Sequence, residues 1–171
     1  TGTVYTARAT RAEANGAFEW ARGLGLLGAT ATEKEIPAAA FELTNAQLAL
    51  LLGRMWDGDG HVAPADRFAY YATSSRRLAR QVQHLLLRLG IIGRLREVEF
   101  PYRGERRIGY QVFVTGAENL RPFVERIGPH LVAPAKRAAI AAMPTTADVG
   151  PVRDVVPALT VRALARDAKA R

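Results

Sequence analysis

Two carboxylates, Asp57 and Asp59, close an apolar run and alternate with Gly58 and Gly60. The run itself, Leu51-Leu52-Gly53-Arg54-Met55-Trp56, has helical spacing, so both acids fall at a helix C-terminus. The helix dipole already places partial negative charge there, and added acids raise that cost. A divalent cation turns the cost into a binding site, because carboxylate and carbonyl oxygens suit hard ions such as magnesium. Such an ion can make water nucleophilic and neutralise a departing oxyanion, which is what phosphodiester hydrolysis requires. The plainer alternative is an acidic turn that holds no metal. A calcium loop of the D-x-D-x-D-G kind fails on spacing: position 61 is His, and position 68, where its last ligand would fall, is Phe. His61, His84 and His130 lack mutual ligand spacing, so no catalytic histidine is assigned.

The charge of the chain points the same way. The 171 residues carry a net charge of +8. Residues 61–137 hold 14 Lys and Arg against 6 Asp and Glu, so the whole surplus follows the acidic motif. Lysine occurs only at positions 34, 136 and 169; the other cations are arginine, whose planar fork suits phosphate oxygens and guanine edges. The absence of cysteine excludes disulfides, thiolate metal sites and a cysteine nucleophile. No run of about 18 apolar residues could span a membrane, and the expected location is intracellular, in the cytoplasm or nucleoid. The length suits one well-buried domain.

The elements that must position the acids follow from periodicity. Residues 11–25 read as a short helix with Phe18, Trp20 and Leu24 near one face, and residues 29–40 as a connector. Thr44 or Asn45 caps a helix to about Asp57, with Leu48, Leu51, Leu52 and Met55 at helical spacing. Ala49, Gly53 and Asp57 form a second stripe, small enough to admit another helix closely. After Gly60 the period becomes two. Residues 61–63 and 67–73 read as strands, and a helix capped by Ser74 or Ser75 runs to Leu89. Residues 91–100 and 107–115 form a hairpin around Pro101-Tyr102-Arg103-Gly104, and a helix with Leu120, Phe123, Val124 and Ile127 follows Gly116. A short helix spans 135–143, and a basic one 155–171. Trp20 and Trp56 are read as core.

This order gives an α+β fold, αββαββα, with helices on one face of the sheet and the other face bare. Its division is an N-terminal helix and linker (1–43), a core (44–143) and a basic C-terminal extension (144–171). A bare, arginine-bearing sheet could enter a DNA major groove. Arg67, Arg94, Arg96, Arg106, Arg107 and Gln111 are the candidate DNA contacts, with Tyr71 and Arg103 secondary. Strand parity puts Arg94 and Arg96 on one face, shared with Val98 and Phe100. Arg76, Arg77, Arg80 and Arg88 lie on a helix and are read as solubilising its outer side.

The segment Leu52 to Gly60 resembles the signature of the LAGLIDADG homing endonucleases. It matches at Leu52, Asp57, Asp59 and Gly60, whereas Arg54 departs from the glycine the family uses for close helix contact. Tyr71-Ala72-Thr73-Ser74-Ser75 with Leu78-Ala79, and Ile127-Gly128-Pro129-His130-Leu131 through Lys136-Arg137, are similar to later parts of the family's repeat. Gly23-Leu24-Gly25-Leu26-Leu27-Gly28 and Glu33-Lys34-Glu35-Ile36-Pro37 resemble the linker before the second motif in the endonuclease (DOD-type) part of inteins.

The resemblance implies a saddle-shaped antiparallel sheet and cleavage of double-stranded DNA with Mg²⁺ or another divalent cation. It implies Asp59 as catalytic acid and metal ligand, the Gly58 carbonyl as a second ligand, and Lys136 near the scissile phosphate. The family builds its site from two motif helices, and a single motif is found here. A homodimer is therefore expected, joined through Ala49, Leu52, Gly53, Trp56 and Asp57, with Asp57 bracing the helix end. The alternatives are a catalytically inactive DNA-binding remnant of an intein endonuclease and an intron RNA-splicing factor. Protein splicing is not expected, since the usual His-Asn ending is absent.

Overall fold

The computed structural model describes residues 16–146. The C-terminal helix expected at 155–171 and the start of the one at 11–25 lie outside the described residues. The elements are α1 (Gly16–Gly23), α2 (Asn45–Asp59), β1 (Gly60–Ala63), β2 (Phe68–Thr73), α3 (Arg76–Arg88), β3 (Gly93–Tyr102), β4 (Glu105–Thr115), α4 (Ala117–Pro122) and α5 (Pro134–Ala141). Short 3₁₀ turns cover Ala38–Glu42 and Gly128–His130, and α4 continues as a π-helical turn over Phe123–Ile127. From α2 to α4 the order is αββαββα.

Local chemistry sets the helix starts. Thr44 caps α2 in a reciprocal box with Gln47, satisfying N–H groups that no helix can satisfy internally. Ser75 caps α3 by accepting from the Leu78 N–H, and its hydroxyl donates to Lys34 O at 2.6 Å. The linker is fastened to α3 in the same way: Gln81 Oε1 accepts from Ile36 N, and Arg88 donates to Phe41 O and Leu43 O, both at 2.8 Å. Arg88 is thus an anchor rather than a solubilising charge, and Arg77 pairs with Glu35 at 2.7 Å.

The four strands form one antiparallel sheet in the order β1-β2-β4-β3. Arg103 and Gly104 both have positive φ (50° and 85°), the turn whose twist matches a two-residue hairpin loop. The β3–β4 loop is therefore two residues, shorter than the four-residue turn expected from sequence, and the strands are longer to match. Pro101 lies within β3, which is tolerable because β3 is an edge strand.

One sheet face carries Val62, Ala69, Tyr71, Val112 and Val114, all buried beneath the helices. Leu48, Leu52 and Trp56 of α2, Val82, Leu85 and Leu86 of α3, and Leu120, Phe123 and Ile127 complete the core. Each such side chain contributes about 1.5–3 kcal/mol by leaving water. Trp56 is core as expected, packed between Tyr71 and Phe123 at ring separations of 5.5 and 5.0 Å. Trp20 is not: it is 67% exposed, at the rim of an open cavity that it shares with linker residues and with Leu51, Met55 and Leu78. Among the described residues, no helix is long and apolar enough to cross a membrane.

Candidate active site and nucleic-acid interface

The acidic end of α2 is gripped by the segment leading into α5. A Cβ at Gly53 would lie 2.6 Å from His130 Cβ and 3.1 Å from its carbonyl carbon, so glycine is what admits this segment. Arg54 donates to His130 O at 2.8 Å and lies 3.5 Å from the Asp57 carboxylate. The Asp57 carboxylate in turn accepts from Val132 N (2.9 Å) and Ala133 N (3.0 Å), the amides just before α5. Its side chain is 13% exposed. Burial works against its charge, but the amides of Ala133 and Val132 and the Arg54 guanidinium outweigh burial and hold the carboxyl below its ordinary range. Asp57 thus caps the approach to α5 as well as closing α2.

Lys136 completes the clamp. Its ammonium donates to Trp56 O at 2.6 Å and Asp57 O at 2.8 Å, and reaches Gly58 O at 3.4 Å. A cation on the last carbonyls of a helix complements the dipole. Lys136, expected near a scissile phosphate, is thus placed at the acidic end of α2, with its ammonium on the helix's last carbonyls. The Gly58 carbonyl, expected as a metal ligand, has that ammonium as its neighbour.

Asp59 stands apart from the clamp. It is exposed at the junction of α2 with β1, and its carboxylate accepts the Tyr71 hydroxyl. Tyr71 is 3% exposed on the packed face, so the expectation of a DNA contact there is overturned. Burial, then the Asp59 charge and hydrogen bond, push its phenol up to about 12, and it remains a neutral donor. Pairing of Gly60 with Tyr71 across β1 and β2 sets the two groups side by side. A Cβ at Gly60 would run into the Trp56 ring and lie 2.6 Å from Trp56 O, so glycine is required for the chain to leave the helix here. Among the described residues no group of three or more His, Cys, Asp or Glu could hold a metal. Of the two motif acids, Asp59 is the exposed one.

The interface stripe also needs correction. Ala49, Leu52 and Trp56 are buried in this chain's own core, Gly53 is covered by His130, and Asp57 is engaged by Val132 and Ala133. The face of α2 left exposed is the adjacent one: Ala46, Leu50 (42% exposed), Arg54 and Gly58. A Cβ at Gly58 would meet nothing within 4 Å.

On the sheet, register separates the expected DNA contacts. Pairing of Arg94 with Phe113, Arg96 with Gln111 and Phe100 with Arg107 puts Arg94, Arg96, Arg107 and Gln111 on the bare face. Arg107 lies over the Tyr102 ring at 4.4 Å and 3.7 Å from Glu105. Arg106 has the opposite parity and binds Glu99 at 2.8 Å, so it leaves the set. Arg67 sits in the β1–β2 turn with φ 55°, and Arg103 at the hairpin tip lies over Tyr102 at 5.4 Å.

Sequence reasoning missed the aromatic centre of this face. His61, Phe68, Tyr70 and Phe113 pack together at ring separations of 5.1–6.2 Å, and the Arg96 guanidinium covers Phe113 at 4.6 Å. Strand parity carried the signal: Phe68 and Tyr70 alternate with Ala69 and Tyr71, just as Phe113 alternates with Val112 and Val114.

Residues 46–128 match the family model of a LAGLIDADG-like domain. The chain is similar to the replicative DNA helicase DnaB of Rhodothermus marinus, 40% identical over 161 residues that make 88% of this chain and 16% of the relative. It is similar to DnaB of Synechocystis sp. at 37% identity, over 71% of this chain and 14% of the relative. The replication factor C small subunit of Methanocaldococcus jannaschii matches at 30% identity, over 66% of this chain and 6% of the relative. The chain thus spans under a fifth of the curated relatives it matches. Among solved structures, the homing endonuclease I-CvuI in complex with the I-CreI target has a TM-score of 0.39 and 16% identity, covering 57% of this chain and 63% of that one.

Proposed function

This chain carries a LAGLIDADG-like domain over residues 46–128 and belongs to that family; from that premise we propose that it is a sequence-specific, divalent-metal-dependent endonuclease of double-stranded DNA. The observation that carries the reading is the division of labour between the two motif acids. Asp57 is taken up by Val132, Ala133 and Arg54, whereas Asp59 keeps an exposed carboxylate at the sheet edge. An exposed carboxylate fits a hard divalent cation, although one chain supplies too few ligands alone. The chemistry the cation supplies when bound is ionisation of a water and neutralisation of the leaving oxygen. Tyr71 holds the Asp59 carboxylate in place, and Lys136 and Asp57 hold the helix end from which it projects. The clamp leaves no slack at that end.

The remaining oxygens would come from DNA phosphates and from a second motif helix. The exposed stripe of Ala46, Leu50, Arg54 and Gly58 is the face on which a second copy would sit, two-fold related, so that two Asp59 carboxylates converge. Similar segments occur as minor parts of two differently named replication proteins, DnaB and replication factor C, which supports an inserted module of intein type. The bare face with Arg94, Arg96, Arg107 and Gln111 would lie on the DNA.

A second reading has one observation in its favour: Arg54 occupies the exposed stripe where the family keeps glycine. In that reading the chain binds DNA without cutting it. The full chain, incubated with a randomised duplex library and Mg²⁺, is expected to yield cleaved species that EDTA or Asp59→Asn removes, a loss of roughly a hundredfold or more. Specific binding with a steep salt slope but no metal-stimulated cutting would replace the first reading by the second. Size-exclusion chromatography with light scattering checks the pairing; a strict monomer on DNA overturns the two-copy site.

A further inference from the structure

We infer that the aromatic centre of the bare sheet face reads thymine methyl groups, which makes Phe113, Tyr70 and Phe68 specificity-determining residues; this rests on the DNA reading above. Phe68, Tyr70 and Phe113 come from adjacent strands, since Tyr70 pairs with Phe113 and Phe68 with Thr115. All three are half-buried, and the helices cover only the opposite face. Arg94 and Arg96 lie beside them on β3 with Gln111 between, and the one acid of the strands on this face is Glu105 at the far hairpin end. The face is therefore an apolar spot set among cations and an amide, and the charge selects a polyanion as occupant.

Two nucleic-acid chemistries could use such a spot. Unpaired bases stack on open ring faces. Here the rings pack against one another at 5.1–6.1 Å with interplanar angles of 26–58°, and Arg96 covers a face of Phe113, so few ring faces are left for an unpaired base. What they offer outward is ring edge and apolar surface. In a major groove the one apolar group on a base edge is the thymine C5-methyl, which Phe contacts favourably, while Arg and Gln read guanine and adenine beside it. The arrangement thus favours a duplex with thymine at the centre of the contacted half-site and guanine or adenine next to it.

The test needs a site recovered by the full chain from a randomised duplex library, with binding then measured by anisotropy without Mg²⁺. Each thymine is replaced in turn by uracil, which deletes the methyl and keeps the pairing. At one or two central positions uracil is expected to weaken binding about fourfold, the factor that burial of one methyl-sized group corresponds to. Phe113→Ser and Tyr70→Ser are expected to bind the thymine and uracil sites equally. Full affinity for every uracil site, or a recovered site without thymine, overturns the inference and leaves the DNA reading intact. Preference for single strands or RNA over any duplex overturns both.

Discussion

At the end of α2, Arg54, Asp57 and Lys136 have each found partners within the chain; across the bare sheet face, among the described residues, no carboxylate pairs with Arg94 or Arg96. Both regions are rich in charge, yet their chemistry differs. In the clamp, each charged group has partners within the chain, and removing one leaves a part-buried group unsatisfied. On the sheet, the guanidinium groups of Arg94 and Arg96 have no carboxylate partner among the described residues, so their removal leaves no buried polar group unsatisfied. The clamp charges belong to folding, and on the proposed function the sheet charges are those that meet DNA. Asp59 falls between the two: it is tethered by Tyr71 yet open on its outer side.

This contrast can be broken in three places, in order of expected effect. Gly60→Ala forces a Cβ against the Trp56 ring and carbonyl, and about 3 kcal/mol of stability should be lost in urea denaturation. An unchanged midpoint would mean that the exit from α2 is not close-packed.

Asp57→Ala, next in size, should cost about 2 kcal/mol at pH 7, because two amides before α5 lose their acceptor. The Asp57 pKa is depressed in the fold, so its stabilisation is present above its ordinary value of 3.8 and disappears as pH falls through the lowered folded value. Wild type and variant should converge in acid; a constant gap from pH 7 to pH 3 would show that charge plays no part.

The smallest effects belong to the sheet. Arg94→Ala and Arg96→Ala should leave stability unchanged within about 0.5 kcal/mol. Each should weaken duplex binding by about 1 kcal/mol and reduce the salt slope by about one. Arg106→Ala, whose side chain binds Glu99 on the opposite parity, should do neither. If Arg106→Ala matched the other two, the assignment of faces would be wrong.

Most of the framework could be read from residue order. Capping at Thr44 and Ser75, the change of period after Gly60 and the turn residues near Gly104 and Gly116 placed the main elements of the core within a few positions. These are local signals, carried by residues a turn or a pleat apart. The α2 stripe expected to meet a second copy is covered by this chain itself, because i+4 spacing marks stripes of small residues without saying which stripe the chain will cover. Arg106 was misplaced because it was grouped with Arg107, whereas neighbours along a strand point to opposite faces.

What the sequence by itself determined was the acidic motif, the αββαββα order and the concentration of arginine after Gly60. All of these depend on composition and near-neighbour geometry. Only the tertiary structure decided that Asp57 and Lys136 serve the helix end while Asp59 stays open, and that aromatic rings centre the bare face. The partners of Asp57 and Lys136 lie 75–80 residues away along the chain. Which backbone groups these side chains reach is set by distance in space, which no local pattern encodes.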